Sequence, residues 1–113
     1  MSGVKNENRY QGKNVMKLNV YAIFDNAARA YLPPFFLLRD TMAIRSFTEA
    51  VNSKDHPLNK FPQDYSLFRL GSFDDSSGQI DNESPQPAFL ISGLVVLEAP
   101  APKPEHFRIE DQA

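Results

Sequence analysis

Lys17, Tyr21, Arg29, Tyr31, Tyr65 and Arg69 bring cations and flat rings together along three segments of this sequence. Cations neutralise phosphates, and rings stack on bases whatever their identity, so the combination suits single-stranded nucleic acid. Each stacked base contributes on the order of 1–3 kcal/mol, so two or three rings with a few charges give useful affinity. Arg39, just before a predicted helix, is a further phosphate candidate. Arg45 is a weaker one, because Glu49 lies four residues on and can pair with it. The plainer reading is that tyrosines on an antiparallel sheet are ordinary strand formers with one wet edge.

Other chemistry finds little support. The sequence has no cysteine, which excludes disulfides, thiolate zinc sites and a cysteine nucleophile. It has no Walker-type phosphate loop, no G-x-G-x-x-G, no G-x-S-x-G and no H-E-x-x-H. His56 and His106 lack a second ligand at metal spacing, so neither a metal nor a cofactor is expected. Asp74, Ser76 and Gly78 resemble the start of a calcium loop, but Gln79 stands at its glycine position and Pro85 at its closing acidic position. Adjacent Asp74 and Asp75 point apart at a strand end and make a poor acid/base pair. The expectation is a protein that is not an enzyme.

The chain has 113 residues, a length that suits one domain, and 42% hydrophobic residues, enough for a core. No stretch approaches the ~18 apolar residues of a spanning helix, so no membrane association is expected. Residues 1–69 hold ten Lys/Arg and six Asp/Glu, whereas residues 70–113 hold two and eight. A basic front and an acidic rear imply an electrostatic division of labour. Residues 1–14 read as a flexible basic arm, 15–98 as a single domain, and 99–113 as a proline-rich acidic tail.

Within the domain, residues 15–24 alternate as a strand. Met16, Leu18, Val20, Ala22 and Phe24 share one face, and Lys17, Asn19, Tyr21 and Ile23 the other. Asp25 and Asn26 supply turn chemistry towards a hairpin partner at 29–38, where Pro33 and Pro34 favour an edge strand. Residues 40–52 predict a helix with Asp40 as N-cap, Asn52 closing it in the left-handed conformation, and an apolar stripe of Ala43, Ile44, Phe47, Ala50 and Val51. Residues 65–73 read as a strand with Phe68 and Leu70 on one face and Tyr65, Leu67, Arg69 and Phe73 on the other. Residues 88–97 form an apolar run read as a strand, with a short helix as the alternative. The Lys17/Tyr21 face is taken as the outward one. The apolar segment 31–38 exceeds what one side of a small sheet can bury, so Phe35, Phe36 and Leu37 are candidates for a homodimer interface.

The expected fold is α+β: a small antiparallel sheet of three to four strands with one packed helix, in ββαββ order. The elements Val20-Tyr21-Ala22-Ile23-Phe24-Asp25, Pro34-Phe35-Phe36, Ala43-Ile44-Arg45-Ser46-Phe47 and Asp64-Tyr65-Ser66-Leu67-Phe68, with Gly71 and Phe73-Asp74, carry a resemblance. Over about residues 17–80 the chain resembles the small non-structural protein of gokushoviruses, single-stranded DNA phages of the microvirus group. The resemblance implies a DNA-binding protein of the host cytoplasm, acting as duplex replication gives way to single-strand synthesis and packaging. It supplies no activity, cofactor or site residues. The expected function is therefore non-enzymatic binding of single-stranded DNA in genome replication and packaging. The alternative is an adaptor or scaffold that joins phage replication or capsid proteins without touching DNA.

Overall fold

Alternating residues at the front of the domain form strand β1 (Lys17–Asp25) in a computed structural model that describes residues 16–98. The expected arm and tail lie outside the described residues. Asp25 turns the chain, its Oδ1 accepting from the Ala27 and Ala28 amides at 3.0 and 3.2 Å. Arg29 completes the turn in the left-handed region, at φ 60°. Strands β2 (Ala30–Tyr31) and β3 (Phe35–Leu37) follow, both antiparallel to β1. Between them, Pro33 and Pro34 have no amide hydrogen for the ladder, and the lane beside β1 is cut in two.

Helix α1 (Asp40–Val51) keeps the predicted stripe inward: Ala43, Phe47 and Val51 are buried, and Ile44 and Ala50 pack against them. Its caps differ from expectation. Arg39 holds the N-cap position without a side-chain bond, and Asp40 is the first helical residue. Asn52 sits at φ −96°, outside the left-handed region, and its amide group donates to the carbonyls of Thr48 and Val96. The Asp40 side chain meets Tyr21 and Arg69 in place of capping, whereas that of Asn52 both caps the helix end and ties it to Val96. A short helix α2 (Pro57–Lys60) and a 3₁₀ turn (Pro62–Asp64) lead to the second long strand, β4 (Tyr65–Asp74). Strands β5 (Ile80–Asn82) and β6 (Ala88–Ser92) pair with its far side. Helix α3 (Gly93–Val96) ends the fold, the Ser92 hydroxyl accepting from the Val95 amide at 3.3 Å. Residues 88–97 are thus part strand and part helix.

β1 and β4 lie side by side along their whole lengths, with β2 and β3 flanking β1 and β5 and β6 flanking β4. This overturns the expected arrangement of three to four strands and one helix in ββαββ order. The sheet has six strands, and short helices at 57–60 and 93–96 accompany α1. The core lies between one side of the sheet and the helices, where Tyr21 and Leu67 meet Ala43, Phe47, Val51 and Leu58.

Candidate functional site

Directly opposed residues of an antiparallel pair point to the same side, so the register assigns every strand position to a face. Tyr21 opposes Phe35 and Arg69, and Ile23 opposes Leu67. These side chains meet the helices, and Tyr21 has no exposed surface. The outward face inferred from the sequence is therefore the covered one. The reason is hydrogen bonding: the Tyr21 hydroxyl donates to Asp40 Oδ1 at 2.7 Å and accepts from Asn19 Nδ2 at 3.0 Å. With its polar tip satisfied, tyrosine is as good a core residue as phenylalanine.

Arg69 belongs to the same network. Its Nη1 bonds Asp40 Oδ2 at 2.5 Å and its Nε bonds Glu83 Oε2 at 2.8 Å. Burial and the bond to Asp40 push the Tyr21 hydroxyl up to about 12. Burial would raise the Asp40 carboxyl, but the bonds from Tyr21 and Arg69 outweigh it and hold the group below its ordinary value. The bonds to Glu83 and Asp40 raise the Arg69 guanidinium further. These groups tie β1, α1, β4 and the segment after β5 together. None of them is free to meet a phosphate or a base.

The other predicted site residues are dispersed. Lys17 is exposed at the start of β1, opposite Asp74. Arg29 is exposed in the turn between β1 and β2, and Arg39 is exposed ahead of α1. Tyr65 is half-buried on the helix side, where burial raises its hydroxyl, with Asp25 and Asp64 adding to the effect. It helps line a shallow cavity of about 350 Å³ with His56, Lys60 and Phe61. In β3, Phe35 and Leu37 turn to the core, and Phe36 turns to the opposite face. Of the predicted DNA-contact residues, only Tyr31 has a strand position on that opposite face.

The helix-free face holds what the sequence reading missed. Phe24 and Tyr31 are opposed, as are Phe68 and Phe89. Their rings form a row across four strands, with centroids 4.9 Å apart for Phe24–Tyr31 and 5.6 Å for both Tyr31–Phe68 and Phe68–Phe89. All three contacts are edge-to-face. Phe36 and Phe73 make a second pair at 5.6 Å, beside Leu18, Val20 and Ile80. Phe73 changes side relative to expectation because β4 bulges: Val20 opposes Gly71 and Tyr21 opposes Arg69, leaving Leu70 without a partner in β1 and reversing the alternation beyond it. Phe89 is 58% and Ile80 57% exposed, with Phe36 and Tyr31 near 42 and 41%, so the rings at the margins of the face are open, while Val20, Ala22 and Gly71 at its centre are buried. The remaining positions on it are Ala22, Ser66, Gly71, Asn82 and Ser92. No paired strand position on this side carries a charge.

One signal for this face was present. β1 has apolar residues on both faces, Leu18, Val20, Ala22 and Phe24 on one and Tyr21 and Ile23 on the other, and one long helix covers only one of them. Among the described residues, no group of three metal-ligating side chains stands together, and no helix is long and apolar enough to cross a membrane. A family model described as phage ORF5 protein matches residues 18–96, nearly all of the described fold. No curated protein and no solved structure matches the chain.

Proposed function

The chain belongs to the phage ORF5 protein family, and from that premise we propose that it is a non-enzymatic protein that binds single-stranded DNA in phage genome replication and packaging. The row Tyr31, Phe24, Phe68 and Phe89 on an open sheet face carries this reading. Bases stack on exposed rings without regard to sequence, and an open antiparallel sheet presents several rings in one plane. Tyr31 and Phe89, the exposed ends of the row, take the stacking role that the sequence assigned to Tyr21, Tyr31 and Tyr65. Lys17 and Arg29, both exposed, remain as phosphate contacts, Arg29 in the turn beside Tyr31 and Lys17 at the start of β1 on the helix side, with Arg39 further off. The protein is of the gokushovirus type in this reading and acts in the host cytoplasm.

Fluorescence anisotropy with a labelled oligothymidylate at low salt tests the proposal. The parent chain binds, and Tyr31→Ala and Phe89→Ala each weaken binding by about 1–3 kcal/mol while remaining folded. With about two phosphates contacted, the logarithmic salt slope is about −1.4 at the single-strand coefficient of ~0.7 per contact. Folded parent protein that leaves the oligonucleotide free at low salt refutes it. One observation favours the adaptor reading instead: the ring-bearing face has no Lys or Arg at its paired strand positions. For that reading, the same ring variants lose a phage replication or capsid protein and leave DNA unaffected.

A further inference from the structure

We propose that, when no DNA is bound, a second copy of this chain covers the helix-free face in a two-fold, face-to-face dimer. Its competition with DNA rests on the DNA-binding reading above; the dimer itself does not. A monomer that leaves Phe36, Ile80 and Phe89 this exposed on one face of its sheet is left with an aggregation-prone patch.

Two properties favour a second copy as the occupant. The first is charge. A two-fold interface lays the same patch against itself, so a charged side chain near its axis would meet its own like charge or be buried unpaired. The paired strand positions on this face hold no Lys, Arg, Asp or Glu, whereas those of the helix side include Asp25, Arg69 and Asp81. The second is area. Four lanes at about 4.8 Å and nine residues at about 3.3 Å give a flat patch of roughly 19 by 30 Å. Two such patches bury roughly 1,100 Å² before side-chain relief is counted, close to the lower bound of about 1,200 Å² for specific complexes. Packed sheets sit about 10 Å apart, a spacing that the two ring rows fill by interdigitation.

Sedimentation of the full chain from micromolar to millimolar concentration, without DNA, reads the dimer directly. The expected particle has twice the 12.8 kDa chain mass. Phe89→Asp and Phe36→Asp are expected to stay folded by circular dichroism and to weaken the dimer by about a hundredfold or more, since each buries an unpaired carboxylate. A saturating short oligothymidylate then converts the parent dimer into a complex of one chain and one oligonucleotide. A parent chain that stays monomeric throughout overturns the proposal. So does a dimer that survives both substitutions, because it must use another surface. Oligonucleotide that binds and leaves the dimer whole overturns the competition. A dimer formed by a chain that ignores DNA refutes the DNA-binding reading and leaves the face-to-face dimer standing.

Discussion

Both sides of the sheet carry large apolar side chains, but only the helix side also carries charged ones, and the two differ in how their polar atoms are treated. On the helix side, the Tyr21 hydroxyl, the Asp40 carboxylate and the Arg69 guanidinium lie among apolar neighbours and are matched to one another. On the helix-free side five of the six rings are phenylalanines with no polar group to satisfy, and Phe36, Phe89 and Tyr31 stay exposed. Coverage thus follows the helix and its hydrogen bonds more than hydrophobicity. A ring that looks like core can lie open, and a tyrosine that looks like surface can be fully buried.

The largest effect separates the two sides by stability. Phe47 is buried against β1 and β4, so Phe47→Ala loses its burial and leaves a cavity, at a cost of about 3–5 kcal/mol. That approaches the whole stability of a small domain. Phe89→Ala, on the open face, removes a ring that is already more than half exposed and costs under about 1 kcal/mol. Thermal melts of the two variants measure the contrast, and equal shifts would erase it.

Next comes the polar network, which is found only on the helix side. Burial and Asp40 raise the Tyr21 hydroxyl from 10.0 to about 12, so the folded state holds that proton more tightly than the unfolded chain does. Its contribution, about 2–3 kcal/mol for a shift of this size, is complete below pH 10 and is lost as pH rises from 10 to 12. Tyr21→Phe flattens this alkaline decline and lowers neutral stability by about 1–3 kcal/mol, because Asp40 loses a bond. Denaturant titrations at pH 8 and pH 11 measure both effects. An alkaline decline of unchanged size in Tyr21→Phe would assign it to other groups.

Element positions were more legible than facing. α1 was expected at 40–52 and spans Asp40–Val51; β4 was expected at 65–73 and spans Tyr65–Asp74. Strong local signals explain this: an apolar stripe at helical spacing and an alternating run after a proline-rich loop. Facing failed because alternation marks two faces without saying which one a helix will cover. The bulge at Leu70 then reversed the alternation for Phe73 through a hydrogen-bond shift between strands, which local sequence does not encode. The Asp40–Arg69 pair joins residues 29 positions apart, and nothing local in the chain foretells it.

For the open face, the DNA readout is larger than the stability readout. Tyr31→Ala and Phe89→Ala weaken oligonucleotide binding by about 1–3 kcal/mol each and leave the melt within about 1 kcal/mol of the parent. Tyr65→Ala, on the helix side, does the reverse, because its ring packs against the core. If Tyr65→Ala weakens binding as strongly as the ring variants at equal folded fraction, the division between the sides fails.

The smallest effect lies at Arg29, where backbone and charge can be separated. At φ 60° a residue with a Cβ is held in a region that glycine enters freely, so Arg29→Gly relieves strain in the turn. Glycine also makes the unfolded chain more flexible, and the two terms nearly offset. The melt should therefore stay within about 1 kcal/mol of the parent. The charge contributes separately. If Arg29 contacts one phosphate beside Tyr31, its loss makes the logarithmic salt slope shallower by about 0.7. Arg45→Ala on the exposed side of α1, away from the rings, should leave the slope alone. Binding isotherms at four or five salt concentrations resolve a change of this size. Identical slopes for the parent and Arg29→Gly would remove Arg29 from the interface and leave the rings as its main source of affinity.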